Sequence, residues 1–288
     1  MERRVLITGG TGQLGAALIP YLRPLGVVMA PGRQELDLTA DDATARMVTF
    51  NPTHVIHAGA ATDVERCERE PAWAHAVNAE GTRRVAEVCR VLGAWLLYVS
   101  TDYVFDGTKG APYLEEDPPS PLNVYGRSKL AGERYLQALA PRGAIVRTAW
   151  LYGDSGRNFV ATILGRLRSG APLAVVTDQV GSPTYAIDLA EGIAQLMSRE
   201  AVGTFHLTNS GACSWFELAR AIVREAGADP SSVAPITSAE LALRARRPAY
   251  SVLANAAWAG LGLPPLRPWD AALHARVARE VARGEGVI

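Results

Sequence analysis

Tyr125 and Lys129 stand four residues apart in the stretch YGRSK. On a helix that spacing places a phenol and an ammonium on one face, roughly 5–6 Å apart at Cβ. An isolated tyrosine titrates near ~10, and a fixed ammonium beside it favours the phenolate and lowers that value. A phenol tuned in this way can donate a proton near neutral pH, as general acid catalysis requires. The bare pair is equally what a surface tyrosine beside a solvated lysine would look like, so the weight rests on what else in the chain points at it.

A second cluster lies near the start. GGTGQLG, residues 9–15, supplies Gly9, Gly12 and Gly15 in the spacing G-x-x-G-x-x-G, between the short β-branched run RVLIT and a helical pattern. Glycines let a pyrophosphate approach the backbone, and a helix N-terminus offers unpaired N–H groups and partial positive charge. A glycine pattern alone is weak, but its strand–turn–helix context is the informative one.

The elements that must position these groups alternate. Strands are expected at 4–8, 27–30, 54–59, 94–100 and 143–152, with helices at 15–26, 40–50, 71–93 and 121–139. Strand–helix alternation implies a parallel sheet with helices on both faces. Beyond about residue 150 the rhythm loosens, with helices expected at 158–170 and 214–227 and strands at 173–176 and 203–208. The expected class is α/β: a Rossmann-like doubly wound parallel sheet over 1–151, and a smaller α/β substrate-binding lobe over 152–288 that returns some segments to the sheet.

Composition narrows the function. The chain has 288 residues, 48% hydrophobic, with 29 basic and 29 acidic side chains. That length suits one to two domains, and the charge balance gives no support for nucleic acid or an anionic membrane as partner. Cys67, Cys89 and Cys213 form no metal-ligand or disulfide spacing. They read as buried or half-buried thiols in a reduced cytoplasm. No signal peptide is visible and no apolar run approaches the ~20 residues of a membrane span, so a cytoplasmic protein is expected.

Gly9, Gly12 and Gly15, a strand ending VSTDYVF at 99–105, and YxxxK, in that order, resemble the extended branch of the short-chain dehydrogenase/reductase superfamily. STDYVFDG (100–107), PLNVYGRSKLAGE (121–133), RTAWLYG (147–153), DQVGSPT (178–184) and ARRP (245–248) further resemble the dTDP-4-dehydrorhamnose reductase family. The resemblance implies hydride transfer from a nicotinamide cofactor to the 4-keto group of a dTDP-linked deoxyhexose. Tyr125 would be the acid, Thr101 the hydroxyl on the substrate carbonyl, and Lys129 the group that tunes the phenol and holds the nicotinamide ribose.

The same resemblance implies a cofactor site. Thr11, Gln13 and Leu14 would join the three glycines, Ala58, Gly59 and Ala60 would pass under adenine and ribose, and Asp37 and Leu38 would contact the adenine. Thr62 and Ser100 complete the set. Asp37 also suits the region of a helix N-cap. Val64, Asp102, Tyr103, Val104 and Trp150 would line the sugar pocket, with Asn158, Gln179, Arg246 and Arg247 toward the nucleotide half of the substrate. A guanidinium fork matches phosphate oxygens, although loop arginines are often merely solvated and Trp150 could equally be a core aromatic.

Strand two is followed by Pro31, Gly32 and Arg33, with no carboxylate directly behind it. Carboxylates there read the ribose 2′-OH of NAD, whereas Arg33 could pair with a 2′-phosphate, so NADPH is expected to be preferred with NADH still used. Glu35 complicates this, since it could neutralise Arg33 or reach the ribose. Some bacterial members of the family are magnesium-dependent dimers with a first-helix glutamate. Residues 12–22 carry no carboxylate, so no metal is expected and that dimer mode is open. Two other readings remain: a different nucleotide-sugar reductase or epimerase, and a non-catalytic NADP-binding regulatory subunit like that of methionine adenosyltransferase.

Overall fold

The computed structural model describes residues 2–140, 142–241 and 243–282. Residues 283–288, the end of the expected second lobe, lie outside them.

Six parallel strands form the central sheet. They are β1 (Arg4–Thr8), β2 (Val27–Met29), β3 (His54–His57), β4 (Trp95–Thr101), β5 (Ala144–Thr148) and a sixth strand, Gly203–His206. The spatial order is sixth strand, β5, β4, β3, β1, β2, and β1 pairs in parallel with both β2 and β3. The order reverses between β1 and β3. In open α/β sheets that reversal opens a crevice outside the strands' carboxyl ends.

The strands are apolar on both faces because helices cover both. On one side α1 (Gln13–Leu22) and α8 (Ala186–Ser198) pack together, joining Leu14, Leu18, Leu22, Leu189 and Ile193 to the sheet core. On the other lie α2 (Ala43–Phe50), α5 (Gly81–Leu92) and α6 (Val124–Leu139). A shorter α3 (Val64–Arg69) precedes α4 (Pro71–His75). The second lobe is built on α7 (Phe159–Arg168), α9 (Trp215–Glu225) and the helix Trp269–Ala282. Its parallel strand pair is Leu173–Val176 with Val233–Ile236. The sixth sheet strand and α8 come from beyond residue 151, so the two lobes interlace.

Several expected elements differ in detail. The helix expected over 71–93 contains a π-turn at Ala76–Glu80 between α4 and α5, a local widening common at functional sites. The strand expected over 143–152 breaks at Trp150, whose φ is +47°, leaving Leu151–Tyr152 to pair with Thr184–Tyr185 instead. The helix α8 was not anticipated; nine of its thirteen residues are buried, and the four that are not, Ile187, Glu191, Gln195 and Ser198, recur at helical spacing on one side.

Candidate active site

The cleft at the β1/β3 reversal encloses about 930 Å³. Its floor is the glycine turn. Gly9 has φ +69°, and a Cβ there would sit 2.7 Å from Gly59 Cα, so the turns after β1 and β3 touch backbone to backbone. A Cβ on Gly15 would lie 2.3 Å from the Gly9 carbonyl oxygen. Gly12 opens α1 with no side chain capping it, leaving the first-turn amides for an anion. This cradle fits a dinucleotide pyrophosphate. Thr11, Gln13, Leu14, Ala58, Ala60 and Thr62 line the cleft around it.

Arg33, Asp37 and Leu38 form the outer wall. Arg33 Nε donates to Asp37 Oδ2 at 3.1 Å, and the arginine side chain is 66% exposed. Asp37 does not cap a helix. It accepts from the backbone N–H and hydroxyl of Thr39 at 2.9 and 2.7 Å, which lowers its carboxyl. Glu35 turns back on Gly32 N–H at 2.9 Å. It therefore makes no ion pair with Arg33, and the guanidinium keeps its place on the rim.

The inner end is built by the carboxyl end of β4 and the first turns of α6. Asn123 caps α6 by accepting from Gly126 N–H at 2.8 Å. Tyr125 and Lys129 then face Ser100, Thr101 and Asp102 across the cleft. Thr101 Oγ1 donates to Asp102 Oδ1 at 3.0 Å, and Ser251 Oγ donates to Asp102 Oδ2 at 2.6 Å. Burial raises Asp102 to about 6. The Tyr103 ring meets Tyr125 edge to face, with centroids 5.9 Å apart.

The electrostatics correct one expectation. Next to Lys129 the Tyr125 phenol is nevertheless not drawn down on balance, because burial outweighs any neighbouring positive charge. Burial moves that phenol up, the hydrogen-bonded Thr101 hydroxyl pulls it partly back, and Asp102 raises it again. The Lys129 ammonium instead donates to the Val99 carbonyl at 2.7 Å and sits 4.2 Å from the Tyr98 ring centroid. Burial drives Lys129 down to about 7, with Glu133 opposing.

The structure brings Val64, Tyr103 and Trp150 to the same cleft. Trp150 stacks on Trp215 with centroids 3.6 Å apart, and its ring packs against Gly181, where a Cβ would come within 2.4 Å of Trp150 Cε2. A bulky residue at positive φ is an outlier held by its surroundings, and this packing is what holds it. The remaining expected substrate residues lie outside the cleft lining. Val104 is fully buried among Phe105, Tyr113, Leu130 and Ala149, so its side chain belongs to the core. Asn158 caps α7 and donates to Gln13 Oε1 at 3.1 Å. Gln179 donates to Ser238. The Arg246 carbonyl accepts from Asn123 Nδ2, and Arg247 pairs with Glu65 at 3.0 Å.

Sequence reasoning missed Trp73, Val77 and Trp215, which line the cleft. It also missed Asn78, in the π-turn. Its side chain accepts from Ala61 N–H at 2.7 Å and donates to Ala61 O at 3.0 Å and Ser128 Oγ at 2.9 Å, tying the β3 loop to α6. An asparagine inside an otherwise apolar helical face was the available signal.

A dinucleotide crevice closed by a hydroxyl, a tyrosine and a lysine one helical turn apart defines an extended short-chain dehydrogenase/reductase. The RmlD substrate binding domain family matches residues 3–282, and the chain belongs to that family. It is 47% identical over 279 residues to a dTDP-4-dehydrorhamnose reductase from Streptomyces griseus, covering 94% of this chain and 91% of that protein. It is 43% identical over 277 residues to a dTDP-4-keto-6-deoxy-D-glucose reductase from Streptomyces niveus, covering 95% and 96%. The crystal structure of a Bacillus anthracis dTDP-4-dehydrorhamnose reductase in complex with NADP superposes with a TM-score of 0.93 at 38% identity, covering 97% of this chain and all of that one. Among the described residues no helix is long and apolar enough to cross a membrane.

Proposed function

We propose that this chain is an NADPH-dependent reductase of the 4-keto group of dTDP-4-dehydro-6-deoxy-L-mannose, yielding dTDP-L-rhamnose. The observation that carries this reading is the convergence of Thr101, Tyr125 and Lys129 at the inner end of the cleft that starts at the glycine turn. NADPH, when bound, supplies the hydride that adds to the ketone carbon. The Gly9–Gly15 turn and the start of α1 hold its pyrophosphate, Arg33 its 2′-phosphate, and Ala58 to Ala60 its adenosine.

Tyr125 carries the proton. Burial keeps the phenol neutral, and an alkoxide is a stronger base than a phenolate, so the proton passes from Tyr125 to the developing alkoxide. Thr101 stabilises that oxygen by hydrogen bonding. The phenolate left behind is stabilised by the charge of Lys129 and regains its proton from solvent. Val64, Asp102, Tyr103 and Trp150 are assigned to the sugar. Arg246 and Arg247 are assigned to the diphosphate, which for Arg247 requires release from Glu65. Residues 1–151 supply the cofactor half and 152–288 most of the substrate half. Three buried free thiols and a nicotinamide cofactor favour the cytoplasm. A homodimer would have to form without carboxylate ligands on α1.

The near-equal identity to the Streptomyces niveus reductase favours one second reading, a different dTDP-4-ketosugar. The test is loss of nicotinamide absorbance with a panel of nucleotide-4-ketosugars. Highest kcat/KM with dTDP-4-dehydrorhamnose is expected. A higher value with another sugar selects the second reading, and tight NADPH binding without turnover on any sugar sinks both in favour of a regulatory subunit.

A further inference from the structure

One more ionisable side chain lies on the face of α6 that carries Tyr125 and Lys129. Glu133 follows Lys129 by one turn, so the three repeat at i, i+4 and i+8. Glu133 and Lys129 are 1% and 3% exposed. The Glu133 carboxylate accepts from Ser100 Oγ at 2.5 Å and from Arg147 Nε and Nη2 at 3.0 and 2.7 Å. Ser100 and Arg147 are register partners on β4 and β5, and Ser100 directly precedes Thr101. One carboxylate therefore ties α6 to the two strands that end at the reacting groups.

As packing alone this is a poor arrangement, because a buried ion pair often stabilises no better than apolar side chains of the same volume. Its charge balance explains it better. Burying Lys129 and Arg147 together places two cations in one region with Glu133 as the acidic group acting on Lys129. The other groups packed around Lys129 supply no negative charge. His57, behind it on β3, is held neutral by burial. Tyr98 offers its ring, Val99 its carbonyl, and Tyr125 a neutral phenol. Nearer the phenol, Cys67 and Tyr103 are neutral, and Asp102 is engaged by Thr101 and Ser251. On the far side of Arg147, His206 is also kept neutral.

We propose that Glu133 is a positioning residue of the reduction: its carboxylate, one turn along α6, favours the charged form of Lys129 beside Tyr125 and pins Ser100, and with it Thr101, at the end of β4. The consequence for catalysis rests on the reductase reading, whereas the charge on Lys129 does not. Glu133 opposes the burial that drives the Lys129 amine down, so its removal shifts that amine further toward the neutral form. A neutral amine cannot stabilise the phenolate that forms when Tyr125 gives up its proton.

The chain has two lysines, Lys109 and Lys129, so protein labelled with 13C at lysine Cε gives two titrating signals, and Lys109→Arg identifies which is which. The midpoint for Lys129 should fall by about one pH unit or more in Glu133→Gln and rise in Arg147→Gln, since a nearby opposite charge typically moves such a group by ~1–3 units. If Glu133→Gln does not fold, the comparison is made between Arg147→Gln and the double variant Glu133→Gln/Arg147→Gln, which buries no unpaired partner of the ion pair. The midpoint should fall there too. An unchanged Lys129 midpoint on removing Glu133, in whichever background folds, overturns the proposal. The descending limb of kcat against pH should follow the Lys129 midpoint in each variant. A moved midpoint with an unmoved limb also overturns it. Absence of turnover in the wild type would sink the reductase reading instead, while the titration still decides the charge on Lys129.

Discussion

Gly12→Ala and Gly15→Ala each add one methyl to the same turn, and they should fail in different ways. At Gly12 the backbone is ordinary, with φ −73°, and the only neighbour of a new Cβ is the Gly9 carbonyl oxygen at 3.1 Å. A shift of a few tenths of an ångström accommodates it. Alanine caps a helix somewhat less well than glycine, so the cost to folding should be below about 1 kcal/mol. The methyl stands at the mouth of α1, where a pyrophosphate must reach the first-turn amides. NADPH affinity should therefore drop at least ~10-fold, or about 1.4 kcal/mol. At Gly15 the new Cβ would lie 2.3 Å from Gly9 O and 2.7 Å from Gly10 Cα, all backbone. No flexible side chain can give way, so α1 must move off the turn. Overpacking of this kind costs about 1–3 kcal/mol or more, and at about 2 °C per kcal/mol for a chain this long the melting temperature should fall visibly. Thermal melts and NADPH titrations on both variants give the comparison. Wild-type NADPH affinity in Gly12→Ala, or a Tm as low as that of Gly15→Ala, would refute the assignment of this turn to the pyrophosphate.

Arg33→Ala should lower the NADPH-over-NADH ratio of kcat/KM. A charge-assisted hydrogen bond is worth about 1.5–3 kcal/mol, but Arg33 is exposed and shared with Asp37, so a change near ~10-fold is expected. An unchanged ratio removes Arg33 from 2′-phosphate recognition. Stability should fall with acid in a way set by two buried histidines. Burial lowers His57 and His206 to about 3, while unfolded histidine titrates near ~6.5. Between those values the unfolded chain binds more protons, so stability is fully present above about pH 6.5 and is lost as pH falls toward 3, by up to about 1.4 kcal/mol per pH unit for each histidine. Urea midpoints at pH 7, 6 and 5 should show a shallower loss in His57→Gln than in wild type. Equal slopes would mean that His57 is not the protonation-resistant group.

The parts of the site that were legible in the sequence are the local ones. Tyr125 and Lys129 lie within one helical turn, and the glycine turn is a single strand–turn–helix junction, so local spacing together with the order of the motifs pointed to both. The parts that were not legible depend on contacts between distant segments. Arg33 and Asp37 are four residues apart, yet whether Glu35 or Asp37 pairs with the arginine is decided by the fold of a turn and by Thr39. Asn158 turned out to bond Gln13, 145 residues away, and Val104 packs inward because Tyr113 and Leu253 meet it there. The tuning of Tyr125 was misjudged because burial, a property of the whole fold, outweighs the neighbouring ammonium. The helix α8 was readable from its unburied Ile187, Glu191, Gln195 and Ser198 at helical spacing, but its narrow polar stripe was passed over in the looser second half of the chain.

The most direct test of the account is pre-steady-state reduction of dTDP-4-dehydrorhamnose by NADPH, in wild type and Tyr125→Phe, with the NADPH dissociation constant measured on both. The wild type should consume one NADPH per ketone. Tyr125→Phe should lose ~10²–10⁴-fold in rate, the usual contribution of a positioned acid, while its NADPH affinity stays within a few-fold, because the phenol is not part of the pyrophosphate cradle. A Tyr125→Phe enzyme that retains the wild-type rate would contradict the central claim.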